Sequence, residues 1–397
     1  MAGGAAPFRR QVFYIPGYDP FPPRRYRELY RTEGAAQAAI SGYSLRQRPY
    51  KGEGPYGWIV SAQMEGAQAE SRIQILEWSD IVRSSMAAGI WATYALLVRT
   101  AWIYISTGAL FRLFRLRAGP GIAAMYPVIM LVGQLLVAVL AALALGWALS
   151  LLLPAWLAYL LGLGVVWPIL EGFRRMDGKF FVHYLLLDFA FTAKHKGRNP
   201  PELEARLDKF AALIAQALAD PDLDEVLVVG HSSGVHLGVS VLARVIAGEV
   251  PAGKLAFLSL GHAVPMQSYL PQAQGLRADL AALSQSDKLF WLDVTAPGDG
   301  CCYALCDPVA CSGAGSDGQK WPLIISAAFT QSLAPETYAK LKRRYFRLHF
   351  QYLCAFDAPK DYDYFQITAG PVSLADRFKG RKPSASVSRA CYLKDAA

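Results

Sequence analysis

Between Arg117 and Glu171 the chain runs for 53 positions without an Asp, Glu, Lys or Arg, and Leu, Ala, Val, Gly and Trp dominate the stretch. A helix of that length would measure about 80 Å, whereas a bilayer core of about 30 Å is crossed by about 20 residues. One crossing does not use the stretch up; two do. Residues 122–145 and 151–170 therefore read as a transmembrane helical hairpin, with Trp147 and Trp156 near its turn. The competing reading is a helical lid buried in a soluble protein, but uncharged runs of at least about 18 residues favour membrane spans. Arg112, Arg115 and Arg117 precede the hairpin and Arg174, Arg175 and Lys179 follow it. Positive charge at both ends puts both on the cytoplasmic side, which in a bacterial cell means the inner membrane.

The remaining charge fits that placement. The net charge is +9, and basic residues cluster at Arg9-Arg10, Arg24-Arg25, residues 112–117, Arg174-Arg175 and residues 342–344. No nucleic-acid motif accompanies them, so the expected partner is an anionic membrane face and not a nucleic acid. The first seven residues carry no apolar secretion signal, and six cysteines without regular spacing suit a reducing compartment. The polar body is thus expected in the cytoplasm.

Four regions are expected along the chain. Residues 1–80 form the first part of a mixed domain and 81–178 a helical membrane insertion. Residues 179–378 complete the domain, and 379–397 form a polar, disordered tail. In the first part, 11–15 read as a strand running into Pro16-Gly17-Tyr18, 24–39 as a helix, and 72–77 as a strand by their alternation. A Gly-rich polar loop is expected between that helix and that strand. Within the insertion, about 86–113 reads as an interfacial helix rich in Trp, Tyr and Arg, or as a third span interrupted by Arg99. Beyond it, 202–219 is an amphipathic helix with Leu203, Leu207, Phe210, Leu213, Ile214 and Leu218 on one face. Strands at 225–229, 254–260, 288–293 and 344–350 then interleave with helices at 233–247 and 272–284. Such alternation implies an α/β fold with a mostly parallel sheet and helices on both faces.

The strongest chemical motif is Gly230-His231-Ser232-Ser233-Gly234. Gly-x-Ser-x-Gly recurs by chance, but here the apolar run 226–229 leads into Gly230 and a helix begins just after Ser232. That is the strand–turn–helix setting in which the small residues have a mechanical purpose: Gly230 and Gly234 let strand and helix approach while the serine hydroxyl projects from the turn. The region resembles the α/β-hydrolase superfamily over residues 11–80 and about 180–370, interrupted by the membrane insertion. The resemblance implies an α/β-hydrolase-type sheet with Ser232 as nucleophile, followed along the chain by an acid and then a histidine. His349 is favoured as the base, with His262 as the alternative; His236 lies on the helix after the nucleophile and reads as a packing residue. Asp299, flanked by Gly298 and Gly300, is favoured as the acid over Asp293 and Asp307, which read as turn residues. The oxyanion donors implied are the backbone N–H of Ser233 and one from Gly17 or Tyr18. The chain lacks the His-Gly-Gly-Gly run that often supplies that second donor. Cys301, Cys302, Cys306 and Cys311 lack paired Cys-x-x-Cys spacing, so neither a metal nor another cofactor is expected. Residues 357–365 read as a surface loop or a pocket rim.

A serine nucleophile beside a membrane points to a lipid-like acyl substrate, met at high local concentration by a tethered site. Three readings follow: a hydrolase of esters or thioesters, an acyltransferase passing the acyl-serine to another acceptor, and a catalytically silent fold serving as a membrane scaffold or complex subunit. An acid–histidine pair near Ser232 separates the first two from the third.

Overall fold

The computed structural model describes residues 6–86 and 89–393. Most of the segment read for a secretion signal, two residues of the interfacial region and the last four of the tail lie outside them. Eight strands form one sheet: β1 (Phe8–Ile15), β2 (Ser44–Pro49), β3 (Gly57–Met64), β4 (Ala67–Ile75), β5 (Glu225–His231), β6 (Leu255–Leu260), β7 (Phe290–Thr295) and β8 (Leu323–Ser326). Their order is β2-β3-β4-β1-β5-β6-β7-β8. From β4 to β8 every pairing is parallel, whereas β2 and β3 pair antiparallel at one edge.

The centre of this sheet explains why 226–229 are apolar without alternation. Val226 and Val228 pack on one face with Phe13 and Ile15, while Leu227 and Val229 pack on the other with Val12 and Tyr14. A central parallel strand covered on both sides has no solvent face to keep polar. Each such side chain contributes roughly 1.5–3 kcal/mol by leaving water. The helices Pro201–Leu218, Gly234–Ile246 and Gln274–Gln285 cover one face, and Arg24–Ser41 and Tyr364–Ala369 the other.

The insertion leaves this sheet after β4. Its helices Ala118–Ser150 and Ala155–Arg175 are long and apolar enough to cross a membrane. The second bends between Leu163 and Val166. The first extends beyond the expected 122–145 at both ends, whereas the second begins at Ala155, later than the expected 151, and runs on past 170 to Arg175. They pack through small residues, with Ala138, Ala142, Gly146, Ala158 and Gly162 all buried, as helices do where apolar surface gives no driving force. Leu136, Leu140, Leu152 and Trp156 are left exposed. The expected interfacial helix is two helices, Ile90–Ser106 and Ala109–Leu116, parted at Gly108, whose φ is +70°.

Several expectations are corrected. The stretch after the first helix is not a loop: β2 and β3 occupy it, and Trp58, Val60, Ala62 and Met64 carry the period-two burial of a strand. Residues 344–350 are not a strand, despite their alternation, but contain the helix Tyr345–His349; the four-residue β8 closes the sheet instead. Asp293 is no turn residue, since it lies within β7 and is fully buried. Residues 357–365 are a surface loop only as far as Asp361: Asp357, Lys360 and Asp361 are exposed, whereas Tyr362, Tyr364 and Phe365 are buried in the core. Nor does the tail run free from residue 379: Ser384 N–H donates to Ile324 O at 2.9 Å and Ser388 N–H to Leu305 O at 2.8 Å.

Arg10, expected in a membrane-facing basic cluster, is also buried. It pairs with Glu225 across β1 and β5, and donates to the carbonyls of Gly370 and Val372, at 2.7 Å each. Glu225 in turn accepts from the Leu374 N–H at 2.6 Å. The pair thus ties the segment after the last core helix to the middle of the sheet. Removing one partner of a buried pair leaves an uncompensated charge, at a cost of about 3–5 kcal/mol. Glu225→Gln is accordingly expected to lower the unfolding free energy by about 3 kcal/mol in denaturant titration, and a change under about 1 kcal/mol would contradict the role given to the pair.

Candidate active site

Ser232 stands at the end of β5 with φ +56°, a left-handed conformation that non-glycine residues adopt at a cost of about 1–3 kcal/mol. The surroundings hold it there. Ser232 N–H donates to Leu260 O of β6 at 2.9 Å, and Val235 N–H returns to Ser232 O at 3.1 Å. Gly234 opens the following helix so close to β1 that an added Cβ would lie 2.2 Å from Ile15 O. No side chain fits that gap, so the glycine spacing of the motif is a packing requirement between two neighbouring strands and one helix. The turn also lies where the chain leaves β1 and β5 towards opposite edges of the sheet. Outside the C-terminal ends of such strands an open parallel sheet forms a crevice.

The crevice brings the favoured residues together. Asp299, in the loop after β7, and His349, on its short helix, are both buried, and Asp299 Oδ2 accepts from His349 Nδ1 at 2.7 Å. Tyr352 OH also donates to Oδ2, at 3.1 Å, and the Cys301 N–H to Oδ1, at 2.9 Å. Burial alone would raise the Asp299 carboxyl, but the neighbouring imidazole and these donors outweigh it and hold it below its ordinary value. A carboxylate can only accept, so Nδ1 carries the proton and Nε2 of a neutral ring keeps its lone pair. His349 Nε2 is buried with no hydrogen-bond partner among the described residues. His231 packs against the same ring at 4.8 Å between centroids and donates from Nε2 to His349 O at 2.9 Å. Burial, then the neighbouring His349, push its pKa down to about 3, so His231 is a neutral brace.

Ser232 and His349 line one cleft together with Gly17. No hydrogen bond joins Ser232 Oγ to His349 Nε2, and catalytic contacts of this kind tighten when substrate binds. A Cβ built on Gly17 would lie 3.1 Å from Ser232 Cβ and 3.5 Å from Ser233 N, so the turn after β1 abuts the Ser232 turn. Among the described residues the N–H groups of Gly17, Tyr18 and Ser233 donate to no protein acceptor. Free N–H groups converging beside a hydroxyl can stabilise negative charge developing on an oxygen there.

The alternatives lie elsewhere. His262 and Asp293 are buried away from the cleft: Asp293 accepts from Ser259 Oγ at 2.5 Å, and its carboxyl is pushed up to about 8 by burial. Asp307 caps the next turn, accepting from the Val309 and Ala310 N–H groups at 3.0 and 3.1 Å. His236 is buried in the core on the helix after Ser232. Asp299, Cys301 and His349 present ligand atoms within 4.8 Å of one another, although a cation there would compete with the hydrogen bond Asp299 already makes to the ring.

Two contributors had not been anticipated. Asp188, on the helix Val182–Lys194, lines the cleft and accepts from Ser233 Oγ at 3.1 Å. Burial raises its carboxyl to about 7. An acidic residue inside an apolar helical run was the available signal. Pro120 and Ala123, from the first turns of the long apolar helix Ala118–Ser150, form part of the cleft wall. Nothing in the sequence brings those positions to the site. Compared with protein-family models, curated proteins and solved structures, the chain matches none of them.

The strain at residue 232 has a measurable counterpart. Ser232→Gly removes it and is expected to raise the unfolding free energy by about 1 kcal/mol, after allowing for the greater freedom of glycine in the unfolded chain. Lower stability in that variant would mean that the turn is not strained.

Proposed function

We propose that this chain is a membrane-bound serine hydrolase of α/β-hydrolase type that cleaves an ester or thioester of a lipid-like substrate through an acyl-serine intermediate. The observation that carries the reading is the unpartnered Nε2 of His349. The ring is oriented by Asp299 and lies in the same cleft as a strained serine. In this mechanism His349 Nε2 takes the Ser232 Oγ proton as the oxygen attacks the substrate carbonyl. The charge formed on the carbonyl oxygen is met by the N–H of Ser233 and of Gly17 or Tyr18. His349 then returns the proton to the departing alcohol or thiol, and a water activated by the same ring cleaves the acyl-serine. Asp299 stays ionised throughout, holding the ring in the tautomer that leaves Nε2 free.

The lipid-like substrate follows from the position of the cleft. The helix Ala118–Ser150 has 33 residues, which is about 50 Å, against about 20 residues needed to cross. Its first turns thus stand outside the bilayer core, beside Ser232, while later turns span it. An acyl chain leaving the membrane along this helix meets the cleft directly. The basic residues at both ends of the hairpin support a site on the cytoplasmic face.

A fluorophosphonate probe tests the chemistry. The detergent-purified native chain is expected to be labelled and Ser232→Ala not. His349→Ala and Asp299→Asn are expected to slow labelling by about a hundredfold or more. Equal labelling of native chain and Ser232→Ala, or none in either, would end the proposal.

A further inference from the structure

The catalytic scheme gives no role to Asp188. Its carboxyl reaches the cleft from the helix Val182–Lys194 and, among the described residues, has one hydrogen-bond partner, Ser233 Oγ. The groups that face it are His349, Ser233, the hydroxyls of Tyr18, Tyr104 and Tyr184, and the Cys301 thiol. The tyrosines and the cysteine are pushed up by burial and stay neutral, and no Lys or Arg stands among the groups. Asp19, the other carboxyl of the lining, is different: Arg25 lies 3.9 Å away, and Tyr26 OH and the Phe21 N–H donate to it. Among the described residues, Asp188 is therefore the lining carboxyl without a fixed cation beside it.

Aromatic rings make up much of the rest of the wall. Tyr26, Tyr184, Phe189, Tyr303, Phe346 and Phe350 all line the cleft. Tyr184 and Phe346 meet edge to face at 5.3 Å between centroids, and Phe346 also packs on Phe181 at 4.4 Å. Apart from Phe350, over which Arg25 already lies at 5.4 Å, these rings face a cleft with one carboxyl that lacks a fixed cation and, among the described residues, no Lys or Arg in its lining. While the imidazoles of His231 and His349 are uncharged, such a cleft attracts a positive charge and repels a negative one. The aliphatic wall contributed by Pro120, Ala123, Leu185 and Met266 suits a hydrocarbon chain instead. One cleft thus offers separate surfaces to two parts of a substrate.

Building on the hydrolase reading, we propose that Asp188 and the surrounding aromatic rings select a substrate that carries an ammonium group, so that the natural ester or thioester is cationic at one end and acyl at the other. Anionic substrates are disfavoured by the same charge, and a fatty-acid product is repelled from the cleft it has just been released into.

The test compares a pair of esters of one acid, a choline ester and its uncharged carbon isostere, the 3,3-dimethylbutyl ester, hydrolysed by the full chain in neutral detergent. The ratio of their kcat/KM values isolates the charge, because size, acyl group and chemistry are shared. A preference for the choline ester of roughly tenfold is expected in the native chain, falling to near one in Asp188→Asn. The ratio should also fall in the native chain as the pH drops below about 7, where Asp188 becomes neutral; His349 acts on both esters alike and cancels. That second measurement needs no variant and stands if Asp188→Asn does not fold. Turnover of both esters without preference, a preference for the neutral ester, or a preference that ignores both pH and Asp188→Asn would overturn the assignment while leaving the hydrolase reading intact. Turnover of neither, with no phosphonate labelling of Ser232, would remove both.

Discussion

Everything at this site depends on the contact between Gly234 and the end of β1. The missing side chain at 234 lets the helix start against Ile15 O. Beside it Ser232 holds its left-handed conformation, and the turn after β1 abuts the Ser232 turn. The strain, about 1–3 kcal/mol, is small beside the burial of the two central strands on both faces, so the sheet can hold it. The buried Arg10–Glu225 pair adds to this by joining β1, β5 and the C-terminal segment at the other end of the same strands. Rigidity on both sides keeps a costly conformation where free N–H groups converge.

The membrane insertion is not an appendage to this arrangement. Its first long apolar helix, Ala118–Ser150, supplies cleft wall, and the helix that returns to the sheet carries Asp188. Tyr184 of that return helix donates to the Tyr18 carbonyl at 2.5 Å, fixing the insertion to the turn after β1. Tyr104, on Ile90–Ser106, donates to Met266 O at 3.0 Å and anchors the helix before the hairpin to the cleft. Site and membrane segments are therefore one packed unit. On the proposed reading, substrate delivery and catalysis share residues instead of being coupled at a distance.

How much of this was legible beforehand follows from the range of each signal. The uncharged stretch and the strand–turn–helix around Ser232 are local patterns, and the structure has long apolar helices and that turn where the sequence has them. Asp299 and His349 could be ordered along the chain by resemblance, but the argument for His349 placed it on a strand. The alternation of Phe346, Leu348 and Phe350 suggested one, whereas contacts with residues far along the chain make it a helix. Long-range packing overrides local pattern in short elements, and β8, with four residues, was invisible for the same reason. Arg10 was misread because a charged pair in a run of basic residues looks like surface until its distant partner Glu225 is known. Asp188 and Pro120 were beyond reach, since only tertiary structure brings them within the cleft.

The central claim is an acyl group on Ser232, and the most direct measurement is mass spectrometry of the chain quenched with acid shortly after mixing with an activated thioester or p-nitrophenyl ester. The predicted result is a single acyl addition on the peptide that contains Ser232, appearing before steady turnover and, in His349→Ala acylated with excess activated ester, persisting longer than in the native chain. Product formation with no adduct on that peptide, or an adduct confined to another residue such as Cys301, would contradict it.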